Sequence, residues 1–107
     1  MSHTLDTIKL LVLARDVRIS EHGYDELAAD GLSVREVIDG VDAAIEVEDY
    51  PVFHKGPCVL VLQRDANTQP VHVVWGIPKG HEHPAVLITA YRPDPSNWDE
   101  SFTVRVK

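Results

Sequence analysis

After Asp42 the spacing of apolar residues changes from a helical period of about 3.6 to strict alternation. Upstream lie capped amphipathic segments. Ser33 is an N-cap, and Glu36 three residues on completes a capping box ahead of the stripe Val34, Val37, Ile38 and Val41. Ser20 caps an earlier helix. Glu21 suits its positive end, Tyr24, Leu27, Ala28 and Gly31 share one face, and Gly31 stops it; Gly23 in the first turn weakens its helix propensity. Thr4 to Arg15 reads as a first helix, although the Leu10–Ala14 run also suits a buried strand, and Val17 to Ile19 is a short extended piece. Downstream, Ala44–Glu48, Cys58–Arg64, Pro70–Ile77 and Ala85–Arg92 read as strands. Tyr50-Pro51, the polar turn Asp65–Gln69 and the loop Pro78–Pro84 separate them. Pro93 and Pro95 end the last, and Phe102–Val106 is an additional candidate strand. Helices first and a meander after them specify an α+β fold, with N-terminal helices packed on one face of a small antiparallel sheet.

Length and composition agree with one domain spanning residues 1–107. A chain of this size buries roughly 60–70% of its unfolded surface, and a hydrophobic fraction of 44% with 25% charged residues is that of a globular protein. Disordered, fibrous and disulfide-stapled classes are excluded; Cys58 is the only cysteine. Leu10–Ala14 is five apolar residues, against about 20 for a membrane span. With no secretory leader pattern at the N-terminus, the expectation is a cytoplasmic protein with no membrane partner. The net charge is −7, and residues 1–50 hold twelve acids against four Lys and Arg. Residues 51–107 are nearly neutral and carry His54, His72, His81 and His83. Nucleic-acid binders usually show a basic stripe, and none is present. The acids read as solvated helix faces; read more sharply, they repel RNA and membranes and leave the second half for ligands.

Side-chain alternation sorts the strand residues into two faces. The wholly apolar sets, Leu60, Leu62, Val73, Trp75, Val86 and Ile88, are expected against the helices. The mixed sets then place Gln63, His72, Thr89 and Tyr91 on the second face, where hydroxyls and an imidazole make a candidate site. A half-wet sheet face with no function reads the same way.

Other residues invite chemistry more weakly. His81 and His83 are two apart and could clip a metal with His54 as third ligand, although a polar loop tip has the same composition. His54 and Cys58 are four apart, but Cys58 opens an apolar strand and reads as a small core residue. Gly76 to Gly80 lacks the P-loop pattern; it leaves Lys79 at the end of a strand near the second face, a candidate substrate contact together with Gln63. His22 follows an N-cap, where the helix field favours a neutral imidazole able to act as a base, or simply a surface histidine. No cofactor is expected.

Two segments carry a resemblance. Ile19-Ser20-Glu21-His22-Gly23-Tyr24-Asp25-Glu26-Leu27, with its Ser-x-His opening, and Val86-Leu87-Ile88-Thr89-Ala90-Tyr91-Arg92-Pro93, with its Thr-x-Tyr-x-Pro ending, resemble domain of unknown function family 4258, a family of small bacterial proteins. Pro70 to Gly76 fits the family's penultimate strand, so the resemblance covers about Ile19 to Pro93. That family is similar to the RelE-like toxin superfamily of small ribonucleases and their inactive relatives. The resemblance implies a RelE-like fold and metal-independent RNA cleavage by the ribose 2′-hydroxyl. It implies His22 as base or acid, Thr89 and Tyr91 lining the site, and Arg92 on the phosphate; His72 joins them from strand parity alone. RNA and a neutralising antitoxin would be the partners. Asp25, Glu26 and Leu27 stand where members of the superfamily often carry arginine, and the net charge is acidic, which favours the alternative of a catalytically silent relative that binds a protein through its sheet or edge strand, while the hydroxyls and imidazoles gathered on one face favour the ribonuclease equally. A metal-binding module built on His81 and His83 is a third reading.

Overall fold

The computed structural model describes residues 2–106. Three α-helices precede and interleave with the sheet: α1 (His3–Leu13), α2 (Glu21–Ala29) and α3 (Val34–Gly40). The strands are β1 (Val17–Ile19), β2 (Ile45–Tyr50), β3 (Cys58–Arg64), β4 (Pro70–Gly76) and β5 (Ala85–Tyr91). Each helix start is a serine cap. Ser2 accepts from Leu5 N–H, Ser20 from Gly23 N–H and Ser33 from Glu36 N–H, and Glu36 closes the capping box on Ser33. Such a cap contributes about 1 kcal/mol. Gly31, at φ +67°, ends the α2 segment in the left-handed region that glycine adopts without strain.

The α+β class is as expected, and the meander β2-β3-β4-β5 is antiparallel. The sheet as a whole is mixed. Its order is β1-β5-β4-β3-β2, and β1 pairs parallel to β5, so the short extended piece after α1 becomes an edge strand. Phe102–Val106 forms no strand beyond an isolated bridge between Trp98 and Arg105.

The helices cover one face. Leu5, Ile8 and Val12 of α1, Leu27 of α2 and Val37 of α3 pack on Val59, Val61, Val71, Val73, Trp75, Ala85, Leu87 and Ala90. A fully buried residue of this kind contributes roughly 1.5–3 kcal/mol when large and aliphatic. Val73 and Trp75 face the helices as expected. Leu60, Leu62, Val86 and Ile88 do not, and Gln63 does. Two physical causes account for this. First, β5 carries a bulge: Val74 pairs with Thr89 but Trp75 with Leu87, so Ile88 is an extra residue and alternation breaks there. Second, β3 is buried on both sides, so polarity does not mark its outward face. Gln63 is buried with its amide satisfied, Nε2 donating to Val37 O (2.8 Å) and Oε1 accepting from Trp75 Nε1 (2.9 Å).

Gly23 is explained by the packing of α2 on β5. A Cβ there would lie 2.9 Å from both Leu87 Cδ2 and Leu87 O, and the backbone oxygen cannot swing aside. Ser20 Oγ, which caps α2, also donates to Ile88 O (2.8 Å). Gly23→Ala is therefore expected to lower the unfolding free energy by roughly 2 kcal/mol despite its better helix propensity, measured by urea denaturation. An unchanged or higher urea midpoint would contradict the close approach.

Candidate functional site

The second face of the sheet is divided. At one end the C-terminal segment, residues 93–106, folds over it. Trp98 lies edge-on against the His72 ring with centroids 4.4 Å apart, and the Tyr91 ring centroid stands 5.6 Å from that of His72. Arg105 stacks over Trp98 at 4.7 Å and makes two hydrogen bonds to Glu48, of 2.8 and 3.1 Å. Arg105 holds the Glu48 carboxyl below its ordinary range. Leu60, Leu62 and Trp98 are buried here, apart from the helix-side core.

His72 shares this face with Thr89 and Tyr91, as strand parity indicated, but it is 0% exposed. Its Nε2–H donates to Phe102 O (2.7 Å), which leaves Nδ1 as the unprotonated acceptor, buried without a partner. Desolvation pushes its pKa down, against the raising effect of the Phe102 carbonyl. A sealed, neutral imidazole with one nitrogen facing a dry interior orders the C-terminal segment and has no access to a substrate. Burial likewise raises the Tyr91 phenol.

The other proposed catalytic residues are not gathered around it. His22 is exposed on α2, the helix packed on the Leu87 side of β5, and its partner is Glu26 (3.5 Å). Thr89 and Tyr91 face the opposite side of that strand. Arg92 is paired with Asp65 at 2.8 Å, and its backbone N–H donates to Asp30. That pair joins the end of β5 to the β3–β4 turn. Gln63 lies under α3 and contacts no solvent-facing groove on the second face. His83 bonds Asp16 (3.1 Å), and His81 lines a separate groove beside Glu82 and Asp49. No group of three or more His, Cys, Asp or Glu among the described residues is placed to hold a metal. Burial pushes the Cys58 thiol up, so it stays protonated and is a poor nucleophile.

The open end of the second face is different. A groove of about 480 Å³ lies between the β2–β3 loop and the adjoining ends of β4 and β5, within the range of small-molecule pockets. Gly76, Val86 and Ile88 form its floor, Phe53 and Pro57 a wall, and His54 and Lys55 its polar rim. Its shape is held by backbone. Ile77 N–H donates to Pro57 O (3.0 Å), and Lys79 N–H to Lys55 O (3.1 Å). Gly56, at φ +121°, lies so close to β4 that a Cβ would fall 2.1 Å from Ile77 O. Gly76 keeps the floor low, since a Cβ there would meet Ile88 Cδ1 at 2.8 Å. Of the residues proposed for RNA cleavage or substrate contact, only Lys79 is placed beside this groove by a backbone bond to its lining. Strand parity missed it because the bulge at Ile88 turns two successive side chains, Ile88 and Thr89, toward the same face.

Residues 19–92 match the family model described as Domain of unknown function (DUF4258). The chain belongs to the DUF4258 family. No curated protein and no solved structure matches it significantly. The two segments that carried the family resemblance meet in space, Ser20 bonding Ile88 and Gly23 seated on Leu87, so in this DUF4258 chain they form a joint between α2 and β5. No helix among the described residues is long and apolar enough to cross a membrane.

The state of His72 has a pH signature. Its unfolded imidazole titrates near 6.5 and its folded one lower, so the unfolded chain takes up the proton first as pH falls. The stability that His72 contributes is complete above about pH 6.5 and declines below it. Urea midpoints measured from about pH 7 to about pH 5 should fall in the wild type, and His72→Gln should flatten that slope. An equal slope in both proteins would contradict a buried neutral ring.

Proposed function

We propose that this chain is a non-catalytic binding domain of RelE-like architecture, and that the groove at the open end of the second sheet face takes an apolar group of its ligand. The observation that carries this reading is the division of that face. The residues expected to cleave RNA are sealed, paired elsewhere or on another side of β5, while the groove is open, apolar and shaped by backbone hydrogen bonds. The net charge of −7 further disfavours a phosphate-rich partner.

Addition of a partner strand to a sheet edge is less favoured. The β1 edge is three residues long, and the β2 edge is bulged near Val47 and carries Glu46, Glu48 and Asp49. Short, bulged and charged edges resist pairing with another chain.

The test has two arms. Titration with neutral indole, followed through the amide resonances of Gly76, Val86 and Ile88, should give saturable shifts confined to the groove, and Val86→Trp should remove them. Bulk RNA incubated with the protein should remain intact. No saturable shift at those residues, or RNA cleavage that disappears in His22→Ala, contradicts the proposal; the second result would restore the endoribonuclease reading, with RNA as substrate and an antitoxin as the expected partner.

A further inference from the structure

The groove combines an apolar body with a positive mouth, in a chain that is otherwise acidic. Its lining includes Lys55 and His54 and no carboxylate. Lys79 follows Pro78 of the lining, and its backbone is bonded to that of Lys55, so two of the chain's lysines stand side by side at this end of the sheet. Among the described residues neither lysine forms an ion pair. The nearest acids in the adjoining groove, Asp49 and Glu82, lie beyond Pro57 and Ile77, which both grooves share as a wall. Elsewhere among the described residues Arg35, Arg92 and Arg105 are paired with Asp39, Asp65 and Glu48, while Lys9, Arg15, Arg18 and Arg64, like Lys55 and Lys79, form no ion pair.

An apolar groove over Gly76, Val86 and Ile88, with Lys55 in its lining and no carboxylate, fits one kind of ligand. We infer that the groove binds a small organic carboxylate with an aromatic or branched apolar body, the body against Ile88 and Phe53 and the carboxylate at Lys55. This rests on the reading of the chain as a binding domain and names the ligand class for the same groove. Volume supports a small molecule: about 480 Å³ accommodates a bicyclic body with a short acidic arm. Lys55 supplies three N–H donors on a flexible stem, suited to a carboxylate that arrives at the rim of the pocket. Lys79 adds to the field there. In a chain of net charge −7, a local excess of positive charge also directs an anion to this end of the molecule and away from the acidic helices.

The experiment compares indole-3-propionate with its neutral isostere indole-3-propionamide, titrated into the full chain and followed by calorimetry and by the amide resonances of the groove. At low salt the carboxylate should bind about tenfold more tightly than the amide, the size of one charge-assisted hydrogen bond. Lys55→Met, which keeps the apolar stem and removes the charge, should abolish that preference, bringing the two compounds to equal affinity. The preference should also shrink at about 1 M salt, where charges are screened beyond about 3 Å. Equal affinity for the two compounds, or a preference that survives in Lys55→Met, overturns the assignment of an anionic ligand while leaving the binding-domain reading in place. If neither compound binds, both readings fall.

Discussion

Strands β3 and β4 are buried on both sides, and this double burial governs the rest of the molecule. Val59, Val61, Val73 and Trp75 face the helices, while Leu60, Leu62 and His72 face away from them. A sheet with two apolar faces cannot leave either of them in water. Three short helices cover one side. On the other, a segment without regular strand or helix does the covering, through Trp98 and Phe102, and is secured by polar bonds as well as by packing: His72 to Phe102 O, and Arg105 to Glu48. On the helix side the chain Val37 O, Gln63, Trp75 Nε1 plays the corresponding part, fixing α3 to the sheet through a fully satisfied amide. The bonds of Gln63 and of His72 Nε2 therefore serve register, since an unmet donor in such a place costs about 1–3 kcal/mol.

What strings of residues reveal about this fold depends on how local each signal is. The capping box at Ser33 and Glu36, the cap at Ser20, the strand Cys58–Arg64 and the turn at Asp65–Gln69 were all legible, because they are contained within a few residues and each has a local hydrogen-bond cause. The face on which each strand residue sits was less so. Parity works only while the ladder is regular, and the bulges in β2 and β5 break it. Gln63 misled because a glutamine in a strand suggests exposure, whereas its two partners come from residues 26 and 12 positions away in sequence. The role of the C-terminal segment was illegible for the same reason: the contact of His72 with Phe102 spans 30 residues and leaves no periodic trace. The groove was missed because it is built from loop backbone and the absence of side chains at Gly56 and Gly76.

Function follows from which surfaces this burial leaves over. The face that looked like a catalytic platform is consumed at one end by structure, with His72 acting as a keystone and Arg92 tied to Asp65. Ser20 and Gly23, with Leu87 and Ile88, all within the stretch matched by the DUF4258 model, lie at the seam between α2 and β5, where they join helix to strand. The end of the face that the C-terminal segment does not reach retains an apolar groove with Lys55 in its lining and the backbone of Lys79 bonded to it. The binding role proposed for the groove uses this open part of the second face.

The most direct test of this arrangement is a nuclear Overhauser experiment on the His72 ring. The account predicts cross-peaks from its Cε1 and Cδ2 protons to the Trp98 indole and the Tyr91 ring, together with a slowly exchanging Nε2 proton hydrogen-bonded to the Phe102 carbonyl. A His72 ring without contacts to Trp98, whose Nε2 proton exchanges at the rate of free imidazole, would mean that the C-terminal segment does not cover the sheet, and the division of the second face would be wrong.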